Sequence, residues 1–135
     1  MTQLATAGML LIKDRKLLMA FSRNKKCFYL PGGKVDPGET ASSALCREIE
    51  EELNLRLEQD QLQFYTHICA PAYGETNGTI MEQDCFFAHV DASPVANNEV
   101  ERLHYFTVGE YLQEKKQAPG AVMILEKLKE DGYID

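Results

Sequence analysis

The segment that decides the fold covers residues 33–55 and reads GKVDPGETASSALCREIEEELNL. Glycine-rich turns open it and a helix follows. Near the end of that helix, Glu48, Glu51 and Glu52 share one face at ~100° per residue, and Glu50 adds a further carboxylate. These charges repel one another, and the helix dipole disfavours them further. A divalent cation such as Mg²⁺ would offset both costs. The alternative is an acidic face in contact with solvent.

The helix is predicted over residues 41–53, and both of its ends carry suitable capping residues. Thr40 is a good N-cap because its hydroxyl can accept a hydrogen bond from the first turn. Asn54 tolerates the left-handed conformation of a helix C-cap. The apolar residues form a stripe beside the acidic face, namely Leu45, Cys46, Ile49 and Leu53. One side of the helix can therefore pack on a sheet while the other lines a cleft.

Strands are predicted on both sides of this helix. Before it, strands are expected at residues 4–12, 17–21 and 27–30, the first two forming a hairpin. Turns follow at residues 31–33 and 36–38, the second suiting a type II turn. After it, we expect strands at 62–70, 79–90 and 100–107 and helices at 108–115 and 119–130. Val122, Met123, Leu125 and Leu128 are the predicted core contacts of the last helix. The order predicts an α/β (α+β) fold with a mixed β-sheet flanked by helices, in one domain spanning residues 1–135.

Composition narrows the class of function. The net charge is −7 over 135 residues, which disfavours binding to nucleic acid polymers or to an anionic membrane. No segment reaches the ~18 apolar residues of a membrane span. The four cysteines lack a C-x-x-C pair, so we expect reduced core thiols of a cytoplasmic protein. A homodimer stays open.

The segment 33–55 resembles the Nudix box, G-x5-E-x7-R-E-U-x-E-E-x-G-U, where U is aliphatic. Eight of the nine defined positions match, namely Gly33, Glu39, Arg47, Glu48, Ile49, Glu51, Glu52 and Leu55. Asn54 stands where the family has glycine. Because asparagine also adopts the left-handed conformation, we expect the chemistry to survive this difference.

The resemblance implies an α/β/α sandwich and a hydrolase that cleaves a diphosphate bond with Mg²⁺, or Mn²⁺ as a substitute. It implies that Glu48, Glu51 and Glu52 hold the metal, with a backbone carbonyl of Gly32 or Gly33. Glu51 or Glu52 is then the general base. The resemblance also gives Arg47 the role of pairing with box carboxylates, Glu39 or Glu51.

Residues outside the box are less determined. A further acid is expected among Glu82, Asp84, Glu99 and Glu101. The resemblance favours Glu82 and Glu99, and of these Glu82 is the expected metal ligand. Strand alternation places Glu82 and Asp84 on one face. Candidate substrate-binding residues are Arg23, Phe28, Lys34, Phe87 and Glu99. Lys25 and Lys26 share the basic loop of Arg23, Tyr73 and Phe86 could also stack on a base, and Gln83, Asn97 and Asn98 are amides that could read base edges.

The short chain resembles family members that cleave nucleoside triphosphates, including those that remove oxidised nucleotides. The alternatives are an ADP-ribose or dinucleoside polyphosphate hydrolase, or a nucleotide-binding module without activity. A module of that kind would be expected to have lost box carboxylates, and this sequence retains Glu48, Glu51 and Glu52. An acidic globular domain without metal would leave the clustered carboxylates unexplained.

Overall fold

The computed structural model describes residues 3–74 and 77–135. Before the central helix, the strands are β1 (Gln3–Leu10), β2 (Ile12–Lys13), β3 (Lys16–Ser22), β4 (Phe28–Tyr29) and β5 (Gly32–Lys34). Helix α1 (Ala41–Leu53) is followed by a short 3-10 turn (Gln59–Gln61), β6 (Leu62–Pro71), β7 (Ile80–Ala88), β8 (Val100–Phe106), α2 (Val108–Tyr111) and α3 (Pro119–Glu130). The predicted α/β class is confirmed, and α1 and α3 have the predicted bounds.

The strands form two sheets. The first has the order β5-β1-β7-β6, with β1 and β7 parallel and the other pairs antiparallel. The second is centred on β3, which pairs with β8 along one edge and with β2 and β4 along the other. β1 is buried on both faces over its second half, as is typical of a central strand with a parallel neighbour.

Two details of the strand prediction are wrong. The predicted hairpin is limited to β2 and β3, because β1 pairs with β5 and β7 in the first sheet and not with β3. Residues 32–34 form strand β5 where a turn was expected. Gly32 has φ 147° there, and a side chain at this position would collide with the carbonyl of Ala7.

Two apolar clusters hold the layers together. One joins α1, through Ile49 and Leu53, to residues of both sheets. The other joins α3, through Ile124 and Leu128, to the opposite faces of the strands. The predicted core position Met123 is wrong, since its side chain is 41% exposed and Ile124 is buried instead. Helical spacing explains this difference, because Ile124 lies on the same buried face of α3 as Ala121 and Leu125.

The four cysteines all lie in the described part of the chain and are free thiols. Cys27 and Cys85 are buried and Cys46 is partly buried, but Cys69 is exposed, so the prediction of a core position is wrong for Cys69. Every helix within residues 3–74 and 77–135 is too short or too polar to cross a bilayer.

Candidate active site

Helix α1 begins at a turn that fixes its direction. The amide of Glu39 donates to the carbonyl of Asp36 at 3.0 Å, and Gly38 has φ 86°, which suits the third position of a type II turn. The Thr40 hydroxyl accepts a hydrogen bond from the Ser43 amide at 3.2 Å. The predicted turn and N-cap are confirmed.

The other end of α1 is held by the loop that follows β7. Asn54 has φ 55° and ψ 32°, the left-handed cap expected from the sequence. The Asn97 amide nitrogen Nδ2 and Asn98 Nδ2 donate to the carbonyl of Glu51 at 3.1 and 2.8 Å, and the Asn97 backbone amide donates to the carbonyl of Glu52 at 2.9 Å. The Asn97 and Asn98 side chains therefore cap the helix. The sequence suggested that they could form hydrogen bonds with the edges of a nucleobase.

Arg47 links the start of the segment to the acidic face. Its Nε and Nη2 donate to the two carboxylate oxygens of Glu39 at 2.9 and 2.8 Å, and its Nη1 donates to Glu48 at 2.8 Å. A fourth bond reaches the carbonyl of Lys34 at 3.1 Å. The guanidinium lowers the pKa of Glu39 to about 2, and the carboxylates raise the pKa of Arg47. Of the two expected partners, Glu39 is the close one, since Glu51 is 3.9 Å away.

Glu48 lies against the backbone of β5. A side chain at Gly33 would collide with the Glu48 carboxylate in its present position, and glycine allows this close approach. The Glu48 side chain is 17% exposed. Burial raises its pKa, although the bond from Arg47 acts in the opposite direction.

Glu52 is the box carboxylate without a basic partner among the described residues. Burial first, and then the charge of Glu48, raise the pKa of Glu52 to about 8. The Tyr29 hydroxyl donates to its Oε2 at 3.4 Å. The Glu51 side chain is 55% exposed. A cation beside Glu48 and Glu52 would offset the repulsion between them.

One cavity of about 620 Å³ collects these groups. Its acidic end contains Asp36, Glu48 and Glu52 beside the β5 backbone, with Lys34 among them. Apolar and aromatic side chains also line the cavity, namely Leu4, Leu30, Tyr73, Met81, Pro119 and Ala121. This volume and the mixture of apolar walls with a few polar groups are typical of a small-molecule site.

The donor set fits a hard divalent cation. Glu48 and Glu52 offer carboxylate oxygens one helical turn apart, and the β5 backbone offers carbonyls beside them. Within residues 3–74 and 77–135, no three His, Cys, Asp or Glu side chains are already gathered into a ligand shell. Because Arg47 holds Glu48 and Glu51 points to solvent, binding an ion requires these side chains to rearrange.

The cavity includes some of the predicted substrate-binding residues. Lys34 and Glu99 line it, and so do Asn24 and Lys25 from the basic loop. Glu99 accepts hydrogen bonds from the Ser22 hydroxyl at 3.2 Å and the Asn24 amide at 2.6 Å, so it also shapes that loop. Arg23 does not line the cavity and lies 3.9 Å from Glu101 instead.

Three further candidates lie away from this site. Phe28 is 6% exposed and packs between Phe21 and Phe106, with ring centroids 5.0 and 4.9 Å away. Phe87 packs on Tyr65 and Tyr133 beside a separate cavity of about 280 Å³. Both rings pack in apolar clusters and neither lines the main cavity, so their contact with substrate stays a prediction that the cavity lining does not support.

Glu82 also lies outside the main cavity. It shares a strand face with Asp84, as predicted, and both carboxylates bind His67, at 2.7 Å each. Met81 and Gln83, on the opposite face of β7, line the cavity. Strand alternation therefore turns Glu82 away from the cavity, and its role as a metal ligand stays a prediction.

Sequence reasoning missed Tyr29, whose hydroxyl reaches Glu52 inside the cavity. The available signal was its place directly before the Leu30–Gly32 entry to the box. It also missed Asp36, which lies 3.3 Å from Arg47 Nη2.

Comparison with known proteins adds three findings. The profile of the NUDIX domain matches residues 2–128. A MutT NUDIX hydrolase from Burkholderia pseudomallei has a similar structure, with a TM-score of 0.78, 25% identity, and coverage of 95% of this chain and 99% of that one. A bifunctional NMN adenylyltransferase/ADP ribose pyrophosphatase from Francisella tularensis, complexed with AMP and a manganese ion, has a TM-score of 0.68 at 22% identity and coverage of 96% and 42%.

A sequence relative is the ADP-ribose pyrophosphatase of Methanocaldococcus jannaschii, 50% identical over 46 residues. That match covers 32% of this chain and 27% of the relative, so it spans about a quarter of the relative's length.

Proposed function

This chain belongs to the NUDIX family, whose members generally hydrolyse diphosphate bonds, and we propose that it is a Mg²⁺-dependent nucleoside triphosphate pyrophosphohydrolase. One observation carries the proposal. Glu48 and Glu52 line a cavity of about 620 Å³ together with apolar side chains, and this volume is typical of a small-molecule site. We further propose that residues 1–135 act as one domain.

The residues of α1 have separate roles in this proposal. Glu48 and Glu52 hold the ion, and Glu51 joins them by turning in from its exposed position. A bound divalent ion would neutralise phosphate charge and acidify a water molecule. Glu52 lines the cavity, whereas Glu51 does not line it and its side chain is 55% exposed, so we assign Glu52 as the acceptor of the proton from the attacking water. Arg47 positions Glu39 and Glu48 through charge-assisted hydrogen bonds.

The substrate phosphates are placed by the two lysines of the cavity. Lys34 extends from β5 beside the acidic end, and Lys25 lies in the loop after β3. Their charges offset part of the repulsion that an anionic substrate meets from Asp36 and Glu99. Mn²⁺ is expected to replace Mg²⁺ because both prefer oxygen ligands.

The second candidate function is hydrolysis of ADP-ribose. The observation in its favour is the 50% identity over 46 residues with an ADP-ribose pyrophosphatase. That match covers 27% of the relative, and the substrate panel below decides between the two substrates. A dinucleoside polyphosphate is a third substrate class for the same panel.

The deciding experiment is a substrate panel with Mg²⁺ or Mn²⁺, assayed for phosphate and pyrophosphate. The panel contains the common and oxidised nucleoside triphosphates, ADP-ribose and a dinucleoside polyphosphate. Pyrophosphate released from a triphosphate supports the proposal, and exclusive turnover of ADP-ribose supports the second candidate. If no compound is cleaved and nucleotides still bind, the chain is a binding module and the proposal is wrong.

A further inference from the structure

Gln83 is a buried polar residue that lines the cavity among apolar neighbours. It is 6% exposed, while the walls around it include Leu4, Leu30 and Met81. Glutamine is seldom this buried, because an amide without hydrogen bonds loses its hydration for no return. Its placement among apolar residues at a cavity wall therefore needs an explanation.

The Gln83 amide is only weakly engaged by the protein. The thiol of Cys85 is 3.8 Å from Oε1, and no described residue accepts a hydrogen bond from Nε2. In the described part of the chain, every fully buried side-chain nitrogen or oxygen has a hydrogen-bond partner. Because Nε2 has none, it is not fully buried, and Gln83 lines the cavity. The amide thus has both a donor and an acceptor available to a ligand.

The backbone fixes where this amide is presented. Thr6 on β1 pairs with Lys34 on β5 and with Gln83 on β7, so the three residues form a row across the sheet. All three line the cavity. Two strand spacings separate the ends of this row, roughly 10 Å. Gly8 leaves room for the amide, since a side chain there would press on the Gln83 carboxamide at 3.0 Å.

We propose that the Gln83 side-chain amide pairs with an edge of the substrate's nucleobase and selects which nucleotide the cavity accepts. This rests on the proposed function, which puts the diphosphate at Lys34 and the acidic end. The row then leaves Gln83 across the width of a ribose from the phosphates. An amide offers one donor beside one acceptor, and nucleobases present complementary pairs on their edges. A ligand without a base has nothing to pair with Gln83.

The test compares binding of AMP, GMP, CMP and UMP with binding of ribose 5-phosphate, which lacks a base, by calorimetry. The variant is Gln83→Met, which keeps the length and removes the amide, and the control is Gln113→Met at an exposed glutamine outside the cavity. We expect Gln83→Met to lower the affinity for the preferred nucleotide about tenfold and to leave the affinity for ribose 5-phosphate unchanged. The control should change neither.

Gln83→Asn keeps an amide but shortens it, and it should also reduce the preference among bases. Equal losses for nucleotide and ribose 5-phosphate, or no change in the order of the four bases, would overturn the proposal. So would an absence of nucleotide binding to the unaltered protein. Because binding is measured without turnover, a base-selective Gln83 in a protein that cleaves nothing would separate failure of the proposed function from failure of this inference.

Discussion

Two acidic clusters of this protein look alike in sequence and differ in their surroundings. On α1, Glu48, Glu51 and Glu52 lie near Arg47. On β6 and β7, His67 lies between Glu82 and Asp84. His67 satisfies both of its carboxylates at 2.7 Å on an exposed face of the sheet. Arg47 satisfies Glu39 and Glu48 but leaves Glu52 partly buried in the cavity.

The difference teaches that a count of carboxylates does not identify a metal site. What matters is whether the cluster has more buried negative charge than its own cations neutralise. The α1 cluster has such an excess, which is visible as the raised pKa of Glu48 and Glu52. The carboxylates of the sheet cluster are more exposed than Glu48, at 30% for Glu82 and 36% for Asp84 against 17%, and one imidazole forms a hydrogen bond with each of them.

The largest expected effect on the rate is at Glu52, the box carboxylate without a basic partner among the described residues. Glu52→Gln should lower the rate of hydrolysis about 10³-fold, because it removes both the proton acceptor and a metal-binding charge. The melting temperature without metal should stay the same or rise, since a partly desolvated charge is removed. Steady-state kinetics and thermal melts of this variant and of Glu50→Gln, a neighbouring exposed glutamate, measure both effects. A normal rate for Glu52→Gln would remove it from the site.

Next is the cation that braces the α1 cluster. Arg47→Lys should lower the rate about 10- to 100-fold, because a lysine cannot make the two-pronged contact with Glu39 while holding Glu48. The apparent affinity for Mg²⁺ should fall with it. Arg56, 83% exposed, provides the matched control as Arg56→Lys. An equal response of the two variants would show that Arg47 is not a positioning residue.

The loop that caps α1 should have a smaller effect. Asn97→Ala combined with Asn98→Gly removes both side-chain donors to the Glu51 carbonyl, and glycine keeps the φ of 52° at residue 98. We expect a loss of about 1–2 kcal/mol in the free energy of unfolding and a few-fold lower rate. Chemical denaturation and kinetics measure these changes. Unchanged stability would show that backbone bonds alone hold the helix end.

The smallest effect belongs to the sheet cluster and depends on pH. Asp84 and Glu82 raise the pKa of His67 in the folded protein. The protonated form is therefore favoured by folding, and its stabilisation is complete below the ordinary pKa of the imidazole. It is lost as pH rises through the higher folded value. Because the group is largely exposed, the gain is at most about 1 kcal/mol.

Thermal melts between about pH 5 and 9 test this linkage in the unaltered protein and in His67→Gln. The difference between the two should shrink with rising pH, and hydrolysis should be unaffected at any pH. A fall in rate comparable to that of Arg47→Lys would contradict the distinction between the clusters.

The sequence predicts the α1 region well because its signals are local. Thr40, the Asp36–Gly38 turn and Asn54 act within a few residues of themselves, so their roles follow from spacing and backbone preference. The pairing of Arg47 with Glu39 likewise spans a single turn and helix. Each of these features needs no knowledge of what packs against the helix.

The outer parts of the site depend on contacts between distant strands. Alternation predicts that Glu82 and Asp84 share a face, but the pairing of β1 with β7 decides which face lines the cavity. The same pairing brings Gln83 beside Thr6, 77 positions earlier in the chain. Likewise, the apolar run of residues 4–12 does not reveal that β1 pairs with β5 and β7 in one sheet while β3 belongs to the other. Long-range pairing, rather than local preference, sets these positions.

Tyr29 has a practical consequence for following ligands by spectroscopy. The chain contains no tryptophan and six tyrosines, so its ultraviolet emission comes from phenol rings. The hydroxyl of one of them, Tyr29, donates a hydrogen bond to Glu52 within the cavity. A cation that draws Glu52 away would change the surroundings of that phenol and hence its emission. The protein thus has a built-in optical probe at the candidate site, which needs no dye or label.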